Sequence, residues 1–116
     1  MRSFPFFSEL GRVIQAAAVF VAAIVVYLFT CYPTFGPRDA ADLARAAVTL
    51  GVAHPPGYPL YSLLGHAWLS LFPWAEPAYR LNVLSAASGA AAAALLSAAA
   101  ARFGRPAGCV AGLCFA

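Results

Sequence analysis

The chain has 116 residues, of which 63% are hydrophobic and only 9% are charged, and its formal net charge is +3. A soluble domain typically carries about 25% charged residues, so this composition indicates a protein whose solvent is largely lipid. The few positive charges form no basic run, which argues against nucleic acid as a partner. The cysteines lie in apolar segments without C-x-x-C spacing, so we expect buried free thiols and no metal site: Cys31, Cys109 and Cys114.

The first apolar segment predicts a transmembrane helix over residues 13–33, after a charged juxtamembrane segment over residues 1–12. Residues 13–32 carry no charge, and about 20 helical residues cross a hydrocarbon core about 30 Å thick. A cleaved signal peptide is the alternative. Its apolar region would be shorter and would end in small residues, whereas this one ends in Thr30-Cys31-Tyr32-Pro33.

The second half of the chain predicts another transmembrane helix over residues 79–101, a cytoplasmic turn over residues 102–106 and a third span from residue 107. Ser85, Gly89 and Ala93 are small residues spaced by four, which allows close helix packing. No polar residue ends the last apolar run. We therefore expect residues 107–116 to be the truncated start of a span in an N-terminal fragment of a longer protein.

The arginines predict the orientation of these spans. Arg2 and Arg12 precede the first span, and Arg102 and Arg105 follow the second. Cytoplasmic loops are enriched in positive charge. The pattern therefore predicts a multi-pass plasma (inner) membrane protein with a cytoplasmic N-terminus and an extracytoplasmic loop over residues 34–78.

Within this loop, the sequence predicts two short helices over about residues 39–50 and 59–72. Leu43, Ala47 and Leu50 recur at helical spacing, and Gly51 is expected to end the first helix. The intervening His-Pro-Pro-Gly-Tyr-Pro run excludes regular structure. Pro59 suits the first turn of the next helix.

Two acids of the loop could carry chemistry. Asp39 or Asp42 could deprotonate an acceptor hydroxyl, which requires a carboxylate within hydrogen-bond reach of the proton. Alternatively, Asp39 caps the helix and Asp42 completes a capping box. His54 could bind phosphate, donate a proton or ligate a metal, or could serve only as a structural hydrogen-bonding residue. No other histidine or cysteine stands at metal-ligand spacing from it.

Three further side chains have a functional and a structural interpretation. Arg80 could grip a lipid-linked phosphate with its forked donors, or could anchor the second span as a snorkelling interface residue. Tyr58 and Tyr61 could stack on a sugar, or could simply pack or lie at the interface.

Three segments in order carry a family resemblance: Asp39-x-x-Asp42-Leu43, then Gly-Val-Ala-His-Pro-Pro-Gly-Tyr-Pro-Leu over residues 51–60, then Tyr79-Arg80-Leu81-Asn82. This pattern resembles the protein O-mannosyltransferase-like membrane family, including bacterial members described as a domain of unknown function. Its layout is similar to the glycosyltransferase C superfamily. The resemblance implies an all-α polytopic membrane fold of which this chain is the N-terminal part.

The resemblance also implies an activity: inverting transfer of a sugar from a polyprenyl-phosphate donor to a hydroxyl of an acceptor protein or glycan, on the outer face and without a predicted cofactor. Asp39 matches the general base, while Asp42 stands where the family usually has Glu. Arg80 matches an arginine that meets the donor phosphate. Residues 54–59 match the family's signature loop, which would shape the donor or acceptor site through His54, Pro55, Pro56 and Tyr58.

Two other functions are compatible with parts of the sequence. A non-catalytic membrane scaffold or assembly module could keep the loop for structure alone. A transporter is disfavoured, because transporters place ionisable residues or broken helices near the membrane midplane and both predicted spans lack a charge in their middle.

Overall fold

A computed structural model describes residues 5–116, with side chains from residue 9, and over that range the regular structure is all helical, as the resemblance implied. Residues 1–4 of the predicted juxtamembrane segment lie outside the described residues. A 3₁₀ turn at Ala101–Phe103 joins the last two of the five helices: α1 (Pro5–Thr30), α2 (Ala40–Thr49), α3 (Pro59–Leu71), α4 (Pro77–Ala100) and α5 (Arg105–Phe115).

Two stretches, Glu9–Thr30 and Pro77–Phe103, are long and apolar enough to cross a membrane. In each, only 17% of the most apolar window is buried. The core helix of a soluble protein would be mostly buried, so these exposed apolar helices suit a bilayer. They fall on the two segments in which the sequence predicts spans. Their orientation and the choice of membrane stay predictions.

The chain divides into two compact units, Met1–Phe29 with Ala86–Ala116, and Thr30–Ser85. The described part of the first unit is held together by small residues and one polar cluster. A Cβ at Gly112 would lie 2.8 Å from the Cβ of Ser97, so α5 approaches α4 too closely for any larger residue. The amide of Gln15 donates to Ser97 Oγ and to the carbonyl of Arg105, both at 3.2 Å.

The second unit is a compact loop domain in which α2 packs on α3 and on the first turns of α4. Its core is made of Ala44 and Ala47, three residues apart on one face of α2, and of Leu81. A Cβ at Gly65 of α3 would lie 2.9 Å from both Ala47 Cβ and Leu81 Cδ2. The absence of a side chain at Gly65 therefore sets how closely the two helices approach.

The two loop helices differ little from their predicted limits. They begin at Ala40 and at Pro59, and proline occupies the first turn of α3 as expected. The end of α2 differs from the prediction, because Leu50 rather than Gly51 adopts the left-handed conformation, with φ of 52°. The Gly51 amide then donates to the carbonyl of Ala46 at 3.0 Å, which satisfies a carbonyl at the helix end.

Candidate functional site

Asp39 occupies the N-cap position of α2, but its carboxylate makes no capping hydrogen bond. Its backbone, with φ of −81° and ψ of 0°, is outside the extended conformation from which N-cap side chains usually reach the helix amides. The alternative of a capping box between Asp39 and Asp42 is therefore wrong. The Asp39 side chain is 66% exposed, so its carboxylate is accessible to a substrate.

Asp42 points instead at the signature loop. Its Oδ2 accepts hydrogen bonds from the backbone amide of His54 at 2.9 Å and from the His54 ring at 3.0 Å, while its Oδ1 accepts one from Arg45 at 3.2 Å. These contacts, the backbone amide of His54 foremost, lower the pKa of Asp42 from 3.8 to about 2. Asp42 is therefore ionised at neutral pH and ties the loop to α2.

His54 lies between the two carboxylates. An ionised carboxylate only accepts hydrogen bonds, so the His54 Nδ1 that contacts Asp42 carries the hydrogen. The other ring nitrogen, Nε2, lies 3.6 Å from Oδ2 of Asp39. His54 is thus a structural hydrogen-bonding residue toward Asp42, as one interpretation of the sequence had it. The opposite side of its ring faces Asp39, the candidate base. Within residues 5–116, no cluster of His, Cys, Asp and Glu could hold a metal ion.

The signature loop turns tightly after His54. The Gly57 amide donates to the His54 carbonyl at 2.9 Å, and Gly57 has φ of 94°, which a side chain would strain. Pro55 and Pro56 are exposed and joined by a cis peptide bond. The Tyr58 ring packs against the His54 ring with centroids 5.5 Å apart. Packing of Tyr58 is therefore observed, and sugar stacking by Tyr58 stays a prediction.

Asp39 lines a cavity of about 340 Å³, within the size range of about 300–1,000 Å³ usual for small-molecule sites. Its other polar and aromatic lining residues are Phe35, Arg38, Tyr61, Asn82 and Ser85. The sequence indicated Tyr61 as a residue that could stack on a sugar or pack, but it assigned Phe35 and Arg38 no role in the site. Burial raises the pKa of the Tyr61 phenol above its ordinary value, so this hydroxyl stays protonated and can donate. For Arg38, the one indication in the sequence was its position directly before Asp39.

Arg80 is 9% exposed and is engaged with the end of α3. Its Nη1 donates to the carbonyls of Leu69 at 2.9 Å and Phe72 at 2.8 Å, and its own carbonyl accepts from the Trp68 indole at 2.9 Å. The alternative of a snorkelling anchor is wrong, because the guanidinium is buried against backbone carbonyls. Arg80 is not among the residues that line the Asp39 cavity, and its contact with phosphate stays a prediction.

A family model and two curated relatives that match the chain all carry the same family name. The family model described as the protein O-mannosyl-transferase TMEM260 N-terminal domain matches residues 39–111. The chain is 43% identical over 80 residues to protein O-mannosyl-transferase TMEM260 of Mus musculus, covering 69% of this chain and 11% of that protein. It is 34% identical over 73 residues to the protein of the same name from Dictyostelium discoideum, covering 61% and 9%.

The chain therefore spans about a tenth of the length of these curated relatives. No solved structure matches it significantly, so the glycosyltransferase C type of fold stays a prediction. The match to the family model begins at Asp39, so it includes the candidate acid, the signature loop and α4.

Proposed function

Because the chain belongs to the protein O-mannosyl-transferase TMEM260 N-terminal domain family, we propose that it forms part of the active site of a membrane mannosyltransferase. The resemblance noted in the sequence thus leads to the same family as the comparisons. The proposed donor is a polyprenyl-phosphate-linked sugar, and the proposed acceptor is a hydroxyl group of a protein or glycan. The proposed location is the extracytoplasmic face of the plasma membrane.

In the proposed reaction, the acceptor oxygen attacks the anomeric carbon of the donor sugar. The bond between that carbon and the phosphate oxygen breaks, and its electron pair leaves with the lipid phosphate. Asp39 takes the proton of the acceptor hydroxyl. Attack from the face opposite the leaving phosphate inverts the anomeric configuration.

The exposed carboxylate of Asp39, which is free of the helix and lines a cavity, is the observation that carries the proposal. A general base must reach the proton it removes, and a helix-capping carboxylate would have its oxygens occupied. The Asp42–His54 contact supports it further. The hydrogen bond to Asp42 holds the His54 ring with its Nε2 toward Asp39. The ring thus gives the proposed base a polar neighbour whose own movement is limited.

The cavity also offers surfaces for a sugar. Phe35 and Tyr61 contribute aromatic rings to its lining, and aromatic faces combine apolar area with, in tyrosine, a hydrogen-bonding tip. Asn82, which also lines the cavity, fixes the preceding segment, because its side-chain amide donates to the carbonyls of Tyr32 at 3.0 Å and Thr34 at 2.9 Å. The segment that carries Phe35 is thereby fixed to the start of α4.

A non-catalytic scaffold remains the second candidate, and one observation favours it. Asp42 and Arg80, both predicted as site residues, hold the loop domain together through backbone contacts. In that case the loop would be kept for its shape. The two functions differ in what the loss of the Asp39 carboxylate does, since Asp39 has no comparable backbone contact.

The test compares wild type, Asp39→Asn and Glu76→Gln in full-length protein, in membrane vesicles supplied with labelled polyprenyl-phosphate mannose and a hydroxyl acceptor. Glu76 is the matched control, because it is an exposed carboxylate in the same unit outside the Asp39 cavity. General-base catalysis contributes about 10²–10⁴-fold. We therefore expect Asp39→Asn alone to lose at least about a hundredfold in transfer at normal protein abundance.

Undiminished transfer by Asp39→Asn would remove Asp39 as the base. If the wild-type protein transferred no sugar from lipid-phosphate donors, while Asp42→Ala and Arg80→Ala lowered its abundance, the scaffold would be the better account.

A further inference from the structure

We infer that Arg38, rather than Arg80, contacts the phosphate that leaves the donor. This inference rests on the proposed function, and it concerns which cation of the loop domain meets the anionic group. The unit Thr30–Ser85 contains three arginines, Arg38, Arg45 and Arg80. The hydrogen bonds and ion pairs that each guanidinium already makes within the protein decide which of the three arginines can bind a phosphate.

Arg80 is already bound within the fold. Its Nη1 donates to two carbonyls at the end of α3, and Arg80 is not among the residues that line the Asp39 cavity. Its Nε is buried without a hydrogen-bond partner. Moving this guanidinium to a ligand would break its hydrogen bonds to the carbonyls of Leu69 and Phe72, and hydrogen bonds to charged groups are among the stronger ones in proteins. Arg80 therefore suits a structural role.

Arg45 is also engaged. It pairs with Asp42 at 3.2 Å, on the side of α2 that carries the loop contact, and it is absent from the lining of the Asp39 cavity. A phosphate at Arg45 would compete with the Asp42 carboxylate for the same donors.

Arg38 alone combines availability with position. Its side chain is exposed, lines the same cavity as Asp39 and, among the described residues, has no hydrogen bond or ion pair. Its backbone has φ of 64°, a left-handed conformation that is uncommon for a residue with a side chain. Arg38 therefore brings an unpaired guanidinium to the cavity that Asp39 also lines.

The chemistry of transfer suits this pairing. A donor phosphodiester carries one negative charge, and the phosphate monoester that leaves gains a second as the bond to the sugar breaks. A guanidinium fork matches phosphate oxygens, and a cation placed where charge develops favours the transition state over the bound donor. Arg38 also offsets the repulsion between Asp39 and the phosphate.

The test measures binding of polyprenyl phosphate, the leaving group without its sugar, to full-length protein in lipid nanodiscs. The variants are Arg38→Gln, Arg38→Lys, Arg80→Gln and Arg102→Gln. Arg102 is the matched control, because it is an exposed arginine in the other unit. Uncharged polyprenol and inorganic phosphate are the reference ligands, which separate recognition of the lipid phosphate from binding of free phosphate.

We expect Arg38→Gln to weaken polyprenyl phosphate binding about 10- to 100-fold, since hydrogen bonds to charged groups contribute about 1.5–3 kcal/mol. The affinity of Arg38→Lys should lie between those of wild type and Arg38→Gln, because lysine keeps the positive charge but lacks the forked donors of the guanidinium. Arg80→Gln should lower the thermal stability, while the folded fraction binds with wild-type affinity. Arg102→Gln should match wild type, and polyprenol should bind equally to all variants.

Wild-type affinity in Arg38→Gln would overturn the assignment and leave the proposed function intact. Loss of binding in Arg80→Gln at unchanged stability would assign the contact to Arg80 instead. Inorganic phosphate bound as tightly as polyprenyl phosphate would indicate a free-phosphate site. Failure of the wild-type protein to bind polyprenyl phosphate would overturn both this inference and the proposed donor.

Discussion

The carboxylate of Asp42 accepts two hydrogen bonds from a single residue, His54, one from its backbone amide at 2.9 Å and one from its ring at 3.0 Å. These residues are twelve positions apart, at the start of α2 and in the loop before α3. The contact closes the loop onto the helix and turns the far side of the ring toward Asp39, 3.6 Å away. We therefore propose that Asp42 positions His54 beside Asp39, the proposed base.

Removing the Asp42 carboxylate should free the loop without removing the base. Asp42→Ala deprives the His54 amide of its acceptor, and we expect about 10- to 100-fold faster hydrogen exchange there, in line with the loss of one hydrogen bond to a charged group. Sugar transfer should fall by less than in Asp39→Asn. Exchange measured by mass spectrometry on full-length protein checks the first effect, and the transfer assay checks the second.

Asp42→Asn is the matched control for this prediction, because its amide oxygen can still accept one hydrogen bond. It should lie between Asp42→Ala and wild type in both measurements. Unchanged exchange at His54 in Asp42→Ala would contradict the positioning role.

The loop contact should also depend on pH. The pKa of Asp42 is lowered in the folded chain from 3.8 to about 2, so ionised Asp42 favours the closed loop. Its stabilisation is fully present above about pH 4 and is lost as the pH falls through about 2. Exchange at the His54 amide should therefore show extra acceleration below pH 4 in wild type, after correction for intrinsic rates. In Asp42→Asn this extra acceleration below pH 4 should be absent, and its persistence in that variant would contradict the prediction.

The close approach of α2 and α3 gives a prediction about stability. A Cβ at Gly65 would lie 2.9 Å from Ala47 Cβ, and the short alanine side chain cannot move aside. Gly65→Ala should therefore destabilise the protein by about 1–3 kcal/mol, as overpacking of a core does. Gly36→Ala is the control, because its added Cβ would have only ordinary contacts, the nearest at 3.7 Å. Thermal unfolding of both variants checks this, and equal stability would contradict it.

The sequence predicted the helices well, because proline, glycine and long uncharged runs mark their limits locally. Pro59 at the start of α3 and the two apolar stretches are examples. The end of α2 was less predictable, because either Leu50 or Gly51 could adopt the left-handed conformation and the choice depends on the hydrogen bond to Ala46. The resemblance selected Asp39, Asp42 and His54 as site residues.

The contacts among these residues could not be predicted in the same way. Whether Asp42 caps its helix or binds His54 depends on how the proline loop folds back over twelve residues. The burial of Arg80 depends on where α3 ends, since its partners are the carbonyls of Leu69 and Phe72. Arg38 becomes a candidate only when the engagement of the other arginines is known. Each of these outcomes is set by tertiary structure rather than by local sequence.

Single-turnover transfer by Asp39→Asn, in full-length protein loaded beforehand with labelled polyprenyl-phosphate mannose, tests the central claim most directly. Loading the donor first separates binding from chemistry. We expect the variant to bind the donor as wild type does, while the rate of transfer falls by about a hundredfold or more. A wild-type rate of transfer from the loaded variant would contradict the assignment of Asp39 as the base.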